Sequence, residues 1–125
     1  MDALKKAESY YVAMCNKNFD EMASYVHPNI HFVGPLSTMD GKENVVEAAK
    51  NFAIFFKGLT VREKFHSTDS ENKVMLVLDF DCPAPIGLFK GASFLTFHEG
   101  LISRIELFYD ARPFETKKDQ IFNQE

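Results

Sequence analysis

The chain has 125 residues, a formal charge of −4, and thirteen Phe and four Tyr but no Trp. That length suits one domain with a substantial core, and the negative balance without a Lys/Arg cluster argues against nucleic acid or an acidic membrane surface as partner. No segment approaches the roughly 20 apolar residues of a membrane span, the N-terminus lacks the apolar core of a signal peptide, and Cys15 and Cys82 make no disulfide framework, so a soluble cytoplasmic protein is expected.

Leu4, Ala7, Tyr11, Met14 and Cys15 recur at three- and four-residue spacing and predict an amphipathic first helix. Asn18 and Glu21 have capping-box spacing, and Phe19, Met22, Ala23 and Val26 continue a short second helix that His27-Pro28-Asn29 ends. Ile30 to Val33 reads as a brief strand cut off by Gly34-Pro35, with a loop to Met39 after it. Asp40 and Glu43 make a second capping box, opening a third helix whose stripe is Val45, Val46, Ala48, Ala49, Phe52, Phe55 and Phe56, and Gly58 is placed to end it.

The period then changes from helical to alternating, the mark of an antiparallel sheet. Four strands are predicted: Thr60 to Ser67, Val74 to Cys82, Leu88 to Phe97 and Leu101 to Asp110, the last two joined by His98-Glu99-Gly100. Domain 1–112 is followed by a polar tail, 113–125, expected to fray. In the last strand, alternation puts Arg104, Glu106 and Asp110 on one face and Ile105, Leu107 and Tyr109 on the other. If the charged face looks into a cavity it makes an acid pair beside an arginine; if it looks into water it is an ordinary strand surface.

The order helix, short helix, short strand, long helix and curved sheet resembles the nuclear transport factor 2-like superfamily, in its SnoaL-like and ketosteroid isomerase-like branch. The stretches that carry the resemblance are Tyr11-Val12-Ala13, Asn16 to Asp20, His27-Pro28-Asn29-Ile30, Gly41-Lys42-Glu43 and Gly100-Leu101-Ile102 through Tyr109-Asp110. It implies an α+β, cone-shaped (cystatin-like) fold in which a curved mixed or antiparallel sheet wraps three N-terminal helices around an apolar pocket. It also implies a homodimer through the outer sheet face. Matched to the ketosteroid isomerase pattern, the face carrying Arg104, Glu106, Phe108 and Asp110 turns toward the pocket, leaving Ile105, Leu107 and Tyr109 for the dimer.

The same match aligns Tyr11 with the oxyanion-binding tyrosine of those isomerases, but puts Gly34 at the position of the base and Ser93 near that of the acid. SnoaL-like cyclases carry an aspartate near the end of the last strand, which makes Asp110 the leading acid/base candidate. Glu106 is its partner or substitute, Arg104 would polarise an oxygen, and Phe32, Phe52, Phe56, Leu78, Phe80, Ser93 and Phe108 would line the pocket. A carboxyl there would have its pKa raised by desolvation, although Arg104 opposes that rise and could make the cluster a structural ion pair. His27, His31, His66 and His98 show no metal-ligand spacing, Asp79 and Asp81 alternate against the apolar face of their strand, and no nucleotide or redox motif occurs; neither metal nor cofactor is expected. The expected function is binding of a small hydrophobic molecule, with acid/base isomerisation or cyclisation of a carbonyl compound as the enzymatic form. A non-catalytic carrier and a protein-interaction module are the alternatives.

Overall fold

A computed structural model describes residues 2–117. Helices α1 (Ala3–Cys15) and α2 (Phe19–Ser24) precede strands β1 (Val26–Val33) and β2 (Thr38–Asp40); α3 (Lys42–Phe55) then leads into β3 (Gly58–His66), β4 (Lys73–Asp81), β5 (Leu88–His98) and β6 (Leu101–Tyr109). The six strands form one mixed sheet in the order β2-β1-β6-β5-β4-β3, antiparallel except where β1 runs parallel to β6. This is the expected α+β cone: three helices lie on the concave face of a curved, unclosed sheet.

Local signals account for the helices. Asp2 caps α1 by accepting from the Lys5 amide at 2.8 Å, and Asn18 caps α2 by accepting from the Glu21 amide at 3.4 Å. The second expected capping box does not form. Gly41, at φ +91°, takes the N-cap of α3, and the Asp40 carboxylate pairs with His31 across the β1–β2 ladder instead. The segment read as a loop before Met39 thus contains the short edge strand β2. Strand β1 begins at Val26, so His27-Pro28-Asn29 forms the irregular opening of a strand rather than a helix stop.

Two one-residue irregularities bend the sheet. Val61 and Glu63 pair with the consecutive residues Leu78 and Val77, leaving Arg62 extra; Arg104 and Ile102 pair with Thr96 and Phe97, leaving Ser103 extra. The Ser103 hydroxyl donates to the Thr96 carbonyl at 3.1 Å. Because side chains alternate with a period of two, this bulge reverses the parity of β6: Ile102 and Ile105, three residues apart, both point inward and are buried.

The core lies between the concave face and the helices. Val74, Leu76, Leu78 and Phe80 of β4 and Ser93, Leu95 and Phe97 of β5 meet Ala7, Tyr10, Tyr11 and Met14 of α1 and Val45, Val46 and Ala53 of α3. The C-terminal boundary differs from the expected one. After Asp110 the chain makes a 3-10 turn, Arg112–Lys117, whose Phe114 is buried, so the fold extends beyond residue 112. Residues 118–125 of the expected tail lie outside the described residues.

Candidate functional site

An apolar cavity opens between α1, α3 and the concave face, and its lining includes Tyr10, Tyr11, Met14, Phe32, Met39, Val45, Ala48, Ala49, Phe52, Phe80, Ile105, Leu107 and Tyr109. The helical stripe of α3 helps explain why space remains: Ala48 and Ala49 present only methyl groups to the lining. The empty volume inside this lining, mouth included, is about 520 Å³. It is a narrow slot, and the part wide enough for the centre of a water molecule is about 40 Å³.

One polar pair marks the wall. Tyr11, brought by the buried stripe of α1, and Ser93, on the inward parity of β5, share a hydrogen bond of 2.7 Å between their hydroxyls. Ser93 is fully buried, and burial pushes the Tyr11 phenol up to about 12 while the Ser93 bond pulls it down. At neutral pH Tyr11 is therefore a neutral hydroxyl able to donate to a carbonyl or hydroxyl in the slot. Tyr109, also raised to about 12 by burial, lines the slot from β6. None of the lining residues named above carries a carboxylate, imidazole, ammonium, guanidinium or thiol.

The expected charged site does not assemble in the cavity. Arg104, Glu106 and Phe108 lie on the convex face, where Arg104 Nη2 stands 3.7 Å from Glu106 Oε1 and Phe108 is 48% exposed. Ile105, Leu107 and Tyr109, expected on the dimer face, line the cavity instead. The reversal has a plain cause: the Ser103 bulge changes the parity after Ile102, and burial of the apolar set leaves the charged set in water. Asp110 is exposed beyond the end of β6 and forms a bidentate pair with Arg112, with Nη2–Oδ2 at 2.6 Å and Nε–Oδ1 at 2.9 Å. Hydrogen bonds from the Arg112 side chain and backbone hold its carboxyl at about 2, the opposite of the raised value a neutral-pH acid needs.

The remaining candidates divide by position. Tyr11, Phe32, Phe52 and Phe80 meet at the slot, with Ser93 bonded behind Tyr11. Phe56 and Leu78 are buried core residues; the Phe56 ring lies 5.1 Å from Phe52 and 5.9 Å from Phe80. A Cβ built on Gly34 would come within 2.9 Å of the Phe32 ring, so that ring fills the place where a base would have to stand. Sequence reasoning passed over Met14, Met39, Ala48 and Ala49 as lining, although Met14 and both alanines lie on the stripes it identified.

Among the described residues one group of donors comes together far from the slot: His27, His98 and Glu99 have ligand atoms within 4.8 Å of one another. Their separation along the chain hid them from spacing arguments. His27 Nδ1 accepts from the Asn29 amide at 3.0 Å, which leaves the neutral ring's proton on Nε2 to donate to Glu99 Oε1 at 3.2 Å. A metal-bound histidine has the reverse arrangement, with its second nitrogen donating outward. The trio is a hydrogen-bonded brace between the β5–β6 hairpin and β1, and the His27 bond, with His98 nearby, lowers the Glu99 carboxyl pKa.

The family described as a SnoaL-like domain matches residues 7–105. The fold is similar to that of a Kribbella flavida protein at 25% identity and TM-score 0.83, with 92% of each chain covered. A steroid delta-isomerase from Pseudomonas aeruginosa aligns at 14% identity and TM-score 0.78, covering 97% of this chain and 88% of that one. A putative polyketide cyclase from Pseudomonas putida KT2440 aligns at 14% identity and TM-score 0.73, covering 88% and 92%. Among curated proteins none matches the sequence. No helix among the described residues is long and apolar enough to cross a membrane.

Proposed function

The chain belongs to the SnoaL-like domain family, and we propose that it binds a small, flat hydrophobic molecule carrying one carbonyl or hydroxyl group, without performing carboxylate-based acid/base chemistry on it. The observation that carries this reading is the composition of the slot: an apolar lining rich in aromatic rings, in which the Tyr11 hydroxyl, held by Ser93 behind it, is set to orient one oxygen. Proton transfer α to a carbonyl needs a base within hydrogen-bond reach of the substrate. Here the carboxylates expected to serve lie on the convex face or in the Arg112 pair, and the Gly34 position is covered by Phe32. The carrier reading follows, with the steroid and polyketide named for two structural neighbours as guides to ligand class only.

We further propose a homodimer through the convex sheet face. Register places Met75 and Val77 of β4, Ala92 and Phe94 of β5 and Phe108 of β6 side by side there, next to the half-exposed Phe65 of β3.

The binding claim is tested by titrating the chain with an environment-sensitive naphthyl ketone dye. Saturable one-to-one binding with a blue-shifted emission is expected, weakened about tenfold by Tyr11→Phe through loss of one hydrogen bond of about 1.4 kcal/mol, and lost in Leu107→Glu. Failure of the wild-type chain to bind any such ketone saturably, or indifference of binding to both substitutions, overturns it.

A further inference from the structure

The slot is too narrow in this conformation for a fused-ring molecule, so one of its walls must move to admit one. The helical walls are tied at their ends. Lys17, just beyond α1, donates to the carbonyls of Ala53 and Phe56 at the C-terminus of α3, and the Gly41 amide at its N-terminus donates to the Ile30 carbonyl at 2.8 Å. Long ladders hold β4, β5 and β6, broken only by the bulge at Ser103. Beside the slot, the C-terminal 3-10 turn lies outside both the sheet ladders and the tied helices.

Among the described residues, that turn is held by the packing of one ring and by one ion pair with its adjoining backbone bond. Phe114, 1% exposed, packs edge-on against Phe89 at 4.8 Å and Tyr109 at 5.5 Å and reaches Phe52 and Phe55, each at 6.4 Å. Before it, the Arg112 guanidinium grips the Asp110 carboxylate, and the Phe114 amide closes the turn on the Ala111 carbonyl at 2.9 Å. Phe52 and Tyr109 are themselves walls of the slot, and Phe114 stands behind both.

We propose that residues Asp110 to Phe114 form the gate of the pocket, with Phe114 as a latch that withdraws from between Phe52 and Tyr109 to admit a hydrophobic ligand and the Asp110–Arg112 pair as the strap that returns it. This rests on the reading of the slot as a binding pocket. The strap lies on the surface, so salt weakens it. The latch is apolar and insensitive to moderate salt. A gate raises the association and dissociation rates together when loosened, because it lowers a barrier shared by both directions; a residue that merely touches the ligand changes dissociation alone.

Stopped-flow mixing of the full chain with the naphthyl ketone dye tests this. Arg112→Ala, an exposed substitution, is expected to speed both association and dissociation by about two- to fivefold with little change in Kd. High salt should bring the wild-type chain to the same rates without accelerating the variant further. Phe114→Leu, which keeps an apolar latch of smaller size, should accelerate both by about tenfold or more, the smaller side chain holding less firmly. If dye binds the wild-type chain but both variants exchange it at wild-type rates, the gate is refuted and the pocket stands. If no dye binds the wild-type chain, the pocket itself is refuted and the gate with it.

Discussion

Replacing Ser93 with alanine removes the partner of the Tyr11 hydroxyl in a place where the surroundings decide the cost. Tyr11 is 3% exposed but lines the slot, where there is space for a water molecule; Ser93 is fully buried and lies behind the lining. Stranding a buried polar group costs about 1 to 3 kcal/mol. Ser93→Ala leaves the Tyr11 hydroxyl facing the slot, where water can replace the lost bond, and should fall near the lower limit, about 1 kcal/mol. Tyr11→Phe instead strands the serine away from the slot and should cost more, about 2 kcal/mol or above. The double variant leaves neither group unpaired, so its cost should be smaller than the sum of the singles by about 1 kcal/mol or more. Urea unfolding at constant m-value measures all three as shifts of the midpoint. Strictly additive costs would mean that the two hydroxyls do not share a bond, and the polar end assigned to the pocket would lose its basis.

The face assignment is tested by neighbours in sequence. Leu107→Glu should abolish dye binding, while Glu106→Gln should leave binding unchanged and stability within about 0.5 kcal/mol, as expected for a half-exposed surface pair; titration and urea unfolding of both variants give the answer. Phe108→Glu should yield monomers by analytical ultracentrifugation while keeping dye binding, and an unchanged sedimentation profile would remove the convex face as the dimer surface. Phe80→Ala should cost about 3 to 5 kcal/mol in the same unfolding assay, because the ring is buried and stacked 4.7 Å from Phe89. Alkaline stability follows from the tyrosines. Tyr11 and Tyr109 have folded pKa values raised to about 12 from an ordinary 10, so the native state holds their protons more tightly than the unfolded chain does. Stability should be level below pH 10 in this respect and fall between about pH 10 and 12, with a shallower fall in Tyr11→Phe.

The elements were largely legible in the sequence because local forces set them. The stripe from Ala7 to Met14, the Asn18 cap, and the alternation from Val74 to Phe80 each carry their own period or capping chemistry, and each forms as read. Departures came where the competing partner was distant. Asp40 found His31 on the next strand and left the helix cap to Gly41; three residues of β2 are too few to carry a pattern; Phe114, alone in a polar stretch, gained its burial from Phe52, Phe89 and Tyr109, all far away in sequence or across a turn.

The site divides in the same way. The amino-acid sequence by itself determined the two alternating sets in the last strand, the tyrosine on the buried helical stripe and the aromatic material for an apolar cavity, since these are properties of residue type and spacing. Only the tertiary structure decided which set faces inward, because one extra residue at Ser103, accommodated against Thr96, exchanges the faces of everything after it. Parity in a strand is a local property, but its origin is set by pairing with another strand, and that pairing placed Ile105, Leu107 and Tyr109 at the slot and left Arg104 and Glu106 at the surface.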